Sequence, residues 1–230
     1  MSIAMLDLDP VKAAQAHVDT HVGPALTFVV QQLANAWHEL YSNWSLPLDA
    51  QPLPHDMVRR VVPDSSHPRP AFPLKTYEAD GPARPGDKPV WLLMGQRIPQ
   101  RANELHTSGL WVRQLGGNYS WAWRFGVALN DELGKRSLRL ATPAAFAERR
   151  ALFTMEVLPP PLMGSLEDWS EAPLTMPEYF KQSSDGFYDT VQSWRVYYAH
   201  RHADNEWHAR RSPDWTKEAR AIAASLTTAE

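Results

Sequence analysis

The chain has 230 residues, among them 20 prolines, 10 tryptophans and no cysteine. Its 23 basic and 26 acidic residues give a formal net charge of -3, which excludes a uniformly basic nucleic-acid coat but not a local basic groove. The missing cysteine excludes disulfides, thiol nucleophiles, cysteine-ligated zinc and iron–sulfur clusters. With 43% apolar and 21% charged residues, the chain is expected to fold as one globular domain over residues 1–230.

The first residues and the apolar runs predict neither export nor membrane insertion. Asp7 and Asp9 stand where a signal peptide would be apolar. The run 25–30 is far shorter than the roughly 18 to 20 residues that span a bilayer. We therefore expect a cytoplasmic protein with no membrane partner.

Helical signals occupy both ends of the chain and predict a mainly α fold, a single compact domain of five to seven helices. Asp9 followed by Pro10 predicts a first short helix, since aspartate caps and proline suits the first helical position. Apolar spacing predicts a second helix over 23–41, with Pro24 in its first turn. Further helices are expected from Thr107 or Ser108 to Gly116-Gly117, from Asn118 to about Arg136, from Thr142 towards Phe153, from Asp185 to about His208 and from Asp214 to Leu226.

The segment 43–100 holds eleven of the twenty prolines and interrupts this helical pattern. Proline at that density prevents long helices and central strands. The segment is predicted to be a long, largely irregular covering loop inserted in the domain, with one short strand or helix around Val90 to Met94.

Two groups of residues near the helix starts could carry chemistry. Asp19 and His21 open the second helix, where free backbone amides and an imidazole can bind an anion; the alternative is a cap followed by a solvated histidine. The second group combines an arginine for phosphate with aromatic faces for bases, and the alternative is a tryptophan core with a polar rim. This group comprises His106, Trp111, Arg113, Asn118, Tyr119 and Trp121.

A third group lies near the C-terminus and comprises Trp194, Tyr197, Tyr198, Arg201, His202, Trp207, Arg210, Arg211 and Trp215. In the same region His200, Asp204 and His208 are predicted to share one helical stripe. Residues eight apart on a helix are separated by about 12 Å, so one metal ion could join only two of the three. No common nucleotide-binding, hydrolase or metalloprotease motif occurs in the sequence.

The order of these motifs resembles that of a family of small bacteriophage-encoded proteins. The resemblance covers roughly residues 6–41 and 104–216, and the C-terminal spacing is its most specific part. The matching positions are Asp19-x-His21, Gln32, His106-x4-Trp111-Val112-Arg113-x4-Asn118-Tyr119-x-Trp121, Asp131-Glu132, Tyr197-Tyr198 and Trp207-x2-Arg210-x2-Pro213-x-Trp215. The chain departs from the family at Thr107-Ser108, where Pro-Cys is frequent, and at His202, where lysine is usual.

The resemblance implies a phage protein of the infected bacterial cytoplasm that acts in DNA or nucleotide metabolism. Phages with hypermodified thymine use small helical transferases of similar size, in which an amino acid or amine replaces pyrophosphate on an activated hydroxymethyl-pyrimidine in DNA. The alternative is a noncatalytic accessory protein that binds DNA or a host protein.

A transferase of this kind needs cations on the leaving pyrophosphate, a base, a group that orients the amine and a surface for the flipped base. The candidate base is His106 or His21, and Glu132 would orient the amine. Mg²⁺ commonly accompanies pyrophosphate, although the reaction does not strictly require it. The candidate substrate residues are Arg113, Arg136 and Arg210 for phosphate, Asn118 for polar contact, and Trp111, Tyr119 and Trp207 for stacking. Convergence of His106, Asn118, Glu132 and Arg210 in one cleft is expected.

Overall fold

A computed structural model describes residues 2–42, 58–60, 91–93, 96–98, 102–103, 105–140, 168–204 and 207–227. The fold over these ranges is mainly α, as the sequence predicts. The helices are α1 (Pro10–Gln15), α2 (Asp19–Ser42), α3 (Thr107–Gln114), α4 (Gly116–Leu140), α5 (Thr190–Arg201) and α6 (Thr216–Thr227). A short 3-10 turn covers Glu178–Phe180.

The predicted N-terminal helices are present, and the second is longer than predicted. Asp9 caps α1 as expected, since its Oδ1 accepts from the backbone N–H groups of Val11 (2.8 Å) and Lys12 (3.3 Å). Helix α2 begins at Asp19, four residues earlier than predicted, so Pro24 lies beyond the first turn. A proline there removes one helical hydrogen bond, which the packing of α2 against α3 and α4 outweighs.

Helices α3 and α4 confirm the helices predicted on either side of Gly116-Gly117. Helix α4 packs against α1, α2 and α3. Leu26 and Leu33 of α2 and Phe125 and Leu129 of α4 are fully buried, so the apolar stripes of the two longest described helices form the centre of the core.

The helix predicted to begin at Asp185 is wrong in its bounds. Asp185 and Gly186 have positive φ angles of 54° and 82° and form the two-residue turn of a hairpin between β4 (Ser183–Ser184) and β5 (Phe187–Tyr188). Asp-Gly is a strong hairpin signal, because both residues adopt positive φ at low cost. Helix α5 begins only after Asp189, whose Oδ1 accepts from the N–H of Gln192 at 2.8 Å.

Helix α5 also ends early, at Arg201. His200, Asp204 and His208 therefore do not share the helical stripe that the sequence predicted. Helix α6 confirms the terminal helix.

Within the segment 43–100, the structure describes a three-stranded antiparallel sheet of β1 (Val58–Arg60), β2 (Trp91–Leu93) and β3 (Gln96–Ile98). Its centre is β2, with Trp91 opposite Arg60 and Ile98. Strand β2 is the short element expected near Val90. The rest of the predicted covering loop and the helix predicted from Thr142 lie outside the described residues. Among the described helices, none combines the length and apolarity needed to cross a bilayer.

Candidate functional site

A buried ion network joins the start of α2, the second half of α4 and the chain after α5. It consists of Asp19, Glu132, Arg136 and Arg210. Arg136 donates from Nη1 to Asp19 Oδ1 at 3.0 Å and from Nη2 to Glu132 Oε2 at 3.0 Å. Arg210 donates from Nη1 to the other Glu132 oxygen, Oε1, at 3.0 Å. The network therefore alternates in charge, which is the arrangement that buried ions need.

Arg136 has every N–H donor engaged by the protein itself. Besides the two carboxylate bonds, Nε donates to Glu132 Oε2 (3.2 Å), Nη1 to the carbonyl of His17 (2.6 Å) and Nη2 to the carbonyl of Gln15 (3.0 Å). A guanidinium has five donors, so all are used. The structure gives Arg136, which is 3% exposed, a role in joining elements, rather than a donor for the predicted pyrophosphate.

Asp19 connects the chain segment that follows α5 to the start of α2. Its Oδ2 accepts from the backbone N–H of Ala209 at 2.8 Å, while Oδ1 holds Arg136. Trp207 reinforces this attachment, since its Nε1 donates to the carbonyl of Ala16 at 3.2 Å. The network thus positions Arg210 beside Glu132.

The two buried carboxylates do not fit a Mg²⁺ ion. Both oxygens of Asp19 and both of Glu132 accept hydrogen bonds from N–H groups, three of which belong to the side chains of Arg136 and Arg210. Oxygens held in this way are not available as ligands of a hard cation. Across the described ranges, no group of three histidine, aspartate or glutamate residues is arranged to hold a metal ion.

A histidine cluster lies on the α5 side of the network and consists of His17, His21, Tyr198 and His202. The ring of His21 lies 5.3 Å from that of His17, 5.4 Å from that of Tyr198 and 4.6 Å from that of His202. His21 Nδ1 is 3.1 Å from the Tyr198 hydroxyl, which also accepts from the backbone N–H of Val18 at 3.0 Å. The cluster therefore connects α2 to α5 through one tyrosine oxygen.

Burial keeps the histidines of this cluster neutral. Burial, together with the neighbouring His202, lowers the pKa of His21 to about 4. The pKa of His17 is lowered well below its usual value, first by burial and then by His21. Burial also lowers the pKa of His202 and raises that of the Tyr198 hydroxyl. Near neutral pH the imidazoles of the cluster are thus uncharged.

His106, the other candidate base, has a capping role in the structure. Its Nδ1 accepts from the backbone N–H of Ser108 at 3.1 Å at the start of α3. Its ring contacts the edge of Phe28 at 5.0 Å. Ser108, which stands where the resembling family often has cysteine, is itself buried and accepts from the N–H of Ile3 at 3.2 Å. Both residues fix the first turn of α3.

The predicted substrate residues near α3 form hydrogen bonds to the segment around Ser170. Asn118 Nδ2 donates to the carbonyl of Trp111 (3.0 Å) and to Ser170 Oγ (3.1 Å), and its Oδ1 accepts from the N–H of Ser170 (2.7 Å). Trp111 Nε1 donates to the carbonyl of Ser170 at 3.0 Å. Trp111 and Tyr119 are buried, and Arg113 is half-buried. A base could stack on the Trp111 or Tyr119 ring only if the residues packed around that ring moved away.

The four residues expected in one cleft do not converge. Glu132 and Arg210 are in contact, but Asn118 and Glu132 are fourteen residues apart on the continuous helix α4. At a rise of about 1.5 Å per residue, that separation is about 21 Å. His106 contacts Phe28, which lies two turns beyond His21 on α2. Their positions along α2 and α4 therefore separate the predicted residues into two groups.

A groove of about 190 Å³ between α1 and α4 reaches the network at Glu132. Its floor includes Trp123 and Val127, and its polar wall includes Gln15 and Lys135. Lys135 Nζ lies 3.8 Å from Glu132 Oε1. Glu132 is thus a buried carboxylate at the wall of an open groove, and the indole ring of Trp123 lines the same groove.

No protein-family model, curated protein or solved structure matches the chain. The family resemblance of the motifs consequently stays a prediction.

Sequence reasoning missed His17 of the histidine cluster and Ser170 of the second group, and it named Tyr198 and His202 without joining them to His21. His17 precedes His21 by four residues, a spacing that places both on one helical face. Tyr198 and His202 have the same spacing, so this signal was present in the sequence. Ser170 acts through both its backbone and its Oγ, which accepts from Asn118 Nδ2 and Trp111 Nε1 at 3.1 Å each. No local pattern in the sequence marks such a role.

Proposed function

We propose that the protein is a transferase acting on DNA or a nucleotide, in which a small amine or amino acid replaces pyrophosphate on an activated hydroxymethyl-pyrimidine. The observation that carries this proposal is the position of the histidine cluster against the buried ion network. His21 lies two residues after Asp19, and Asp19 is bonded to Arg136 and to the backbone beside Arg210. A neutral imidazole and a fixed carboxylate–guanidinium pair are thus held by the same turn of α2.

His21 is the proposed base. In the tautomer with its proton on Nδ1, His21 donates to the Tyr198 oxygen across the 3.1 Å contact, and Nε2 keeps its lone pair. Tyr198 then orients the imidazole, as the third group of a catalytic triad does. Since the pKa of His21 is lowered to about 4, this base is unprotonated at neutral pH.

In the proposed chemical step, every bond, electron pair and proton is accounted for without a metal ion. The amine nitrogen attacks the exocyclic methylene carbon, a C–N bond forms, and the C–O bond breaks with its electron pair leaving on pyrophosphate. The nitrogen gives one proton to Nε2 of His21. In this proposal Arg210, which is 38% exposed and donates one hydrogen bond to Glu132, neutralises the leaving group. The groove beside Glu132 would hold the pyrimidine against Trp123.

The alternative is a noncatalytic accessory protein that binds DNA or a host protein. The saturation of Arg136 and Asn118 by internal hydrogen bonds favours this alternative, because two predicted substrate residues then serve the fold. On the resemblance given above, either protein would act in the cytoplasm of an infected bacterium.

Mass spectrometry of nucleosides distinguishes the two functions. DNA bearing pyrophosphorylated hydroxymethyl-pyrimidine is incubated with the purified protein and a mixture of amino acids and polyamines, digested and analysed. The transferase yields a heavier nucleoside and free pyrophosphate with the native protein, and His21→Gln loses both at least a hundredfold. His200→Gln, an exposed histidine on α5, is the matched control.

Three results would count against parts of this proposal. Absence of any product with the native protein would overturn the transferase in favour of the binding protein. Full activity of a correctly folded His21→Gln variant would remove His21 as the base. Equal loss in His200→Gln would show that the assay reports folding rather than catalysis.

A further inference from the structure

A basic depression of about 390 Å³ lies at the N-terminal end of α6, and it includes no residue of the buried ion network or the histidine cluster. Three cationic side chains and one carboxylate border it, so its lining has a formal charge of +2. The charged and hydroxyl residues of the lining are Arg211, Ser212, Asp214, Thr216, Lys217 and Arg220.

The backbone at this end of α6 favours an anion. The N–H of Thr216 is bonded to the carbonyl of Pro213 at 3.1 Å, and the first helical hydrogen bond runs from the N–H of Ala219 to Trp215. The N–H groups of Lys217 and Glu218 therefore lie in the turn that precedes intrahelical bonding. Such groups, with the positive end of the helix dipole, are a recurrent phosphate-binding element.

Thr216 adds an independent sign of a missing ligand. It is 6% exposed and lines the depression, and its Oγ1 is buried without a hydrogen-bond partner among the described residues. A buried hydroxyl without a partner is destabilising, and buried polar groups in folded proteins are nearly always satisfied. A phosphate oxygen in the depression would supply the acceptor that this hydroxyl lacks.

The three cationic side chains differ in how firmly their contacts with the protein hold them. The guanidinium of Arg220 lies 5.8 Å above the Trp207 ring, which fixes its position at the wall. Arg211 contacts Asp214 at 3.4 Å in an exposed pair, which an incoming anion can replace at low cost. Lys217 is exposed on the first turn of α6.

We propose that this depression is a phosphate-binding site, formed by the first turn of α6, the Thr216 hydroxyl and the side chains of Lys217 and Arg220. The ligand is a phosphate group, either of free inorganic phosphate or pyrophosphate, or of a DNA backbone. The inference does not depend on the proposed transferase, since phosphate binding here requires neither His21 nor a reaction.

Binding is tested on the full chain with three probes: inorganic phosphate, pyrophosphate and a fluorescent DNA oligonucleotide. Backbone amide NMR is expected to show the largest shifts at Lys217 and Glu218. Lys217→Gln is expected to weaken binding about tenfold with unchanged thermal unfolding. Thr216→Val is expected to weaken binding several-fold while thermal stability is unchanged or raised, because it removes a buried hydroxyl that lacks a partner. Lys12→Gln, which removes an exposed lysine from α1, is the matched control and should bind like the native protein.

The three probes distinguish the two sources of the phosphate group, a free anion and a DNA backbone. Weaker DNA binding in Lys217→Gln, together with a smaller salt dependence, assigns the site to a nucleic-acid backbone. An effect confined to phosphate or pyrophosphate assigns it to a free anion. The proposal is overturned if no probe shifts the two amides, or if Lys217→Gln and Lys12→Gln bind every probe alike. Neither result bears on the nucleoside assay, so the two proposals fail separately.

Discussion

Arg136 and Asp19 form a 3.0 Å ion pair that joins the second half of α4 to the first residue of α2, and their side chains are 3% and 5% exposed. Arg136 also bonds the carbonyls of Gln15 and His17. One guanidinium therefore binds the turn between α1 and α2 to α4, and its loss would leave two buried carboxylates without their main partner.

Replacement of Arg136 by methionine is expected to lower the free energy of unfolding by about 3 to 5 kcal/mol, the usual cost of removing one partner from a buried ion pair. Urea denaturation followed by circular dichroism measures the change. Arg124→Met, at an exposed position on the same helix, should change stability by no more than about 0.5 kcal/mol. Similar effects in the two variants would contradict the role assigned to Arg136.

The histidine cluster predicts a loss of stability at acid pH. An unfolded histidine titrates near 6.5, whereas folded His21 titrates at about 4. Between these values the unfolded state binds more protons, so the free energy of unfolding falls as the pH is lowered from 6.5 towards 4. The shift of His21 corresponds to about 3 kcal/mol, and the lowered pKa values of His17 and His202 act in the same direction.

Unfolding measured at pH 7, 6, 5 and 4 tests this dependence. His21→Gln should flatten the decline below pH 6.5, because one group with a lowered pKa is removed. His200→Gln, which changes an exposed histidine, should keep the native slope. A native protein as stable at pH 4.5 as at pH 7 would show that these histidines protonate freely in the folded state.

The sequence predicted the helical fold well because its caps and apolar stripes are local. Asp9-Pro10 marked α1, and the spacing of Leu26 and Leu33 marked α2. The hairpin at Asp185 was missed, although its two-residue turn is also a local signal. The site was predicted only in part, because which polar residues meet depends on helix length and on distant backbone groups. The separation of about 21 Å between Asn118 and Glu132 did follow from the predicted helix. The hydrogen bonds of Arg136 to the carbonyls of Gln15 and His17 do not follow from spacing.

His106 provides a direct contrast between the role expected from the sequence and the role seen in the structure. As the cap of α3, it accepts from the N–H of Ser108 at 3.1 Å. His106→Ala is then expected to cost about 1 kcal/mol of stability, and His106→Asn to restore most of it, because asparagine is a good cap. Thermal unfolding measures both variants. In the nucleoside assay, both variants would lose activity if His106 were a catalytic base, whereas asparagine would restore activity if His106 only caps α3.

The close contact between α2 and α3 depends on residue 109 being glycine, which has no side chain. A Cβ at this position would lie 2.2 Å from Oε1 and 3.3 Å from Cδ of Gln32, which is fully buried on α2. Gly109→Ala should therefore destabilise the protein by about 2 kcal/mol, as overpacking does, although alanine favours a helix by about 1 kcal/mol.

Gly134→Ala is the matched control for this contact, because it makes the same change on α4, where a Cβ would meet nothing within 4 Å. It should be neutral or stabilise the protein by up to about 1 kcal/mol. Combining Gly109→Ala with Gln32→Ala should recover stability relative to the sum of the single changes, since the added methyl group then occupies the space of the removed amide. Strict additivity in this cycle, measured by urea denaturation, would mean that Gln32 moves aside freely and that the close approach of α3 to α2 has another cause.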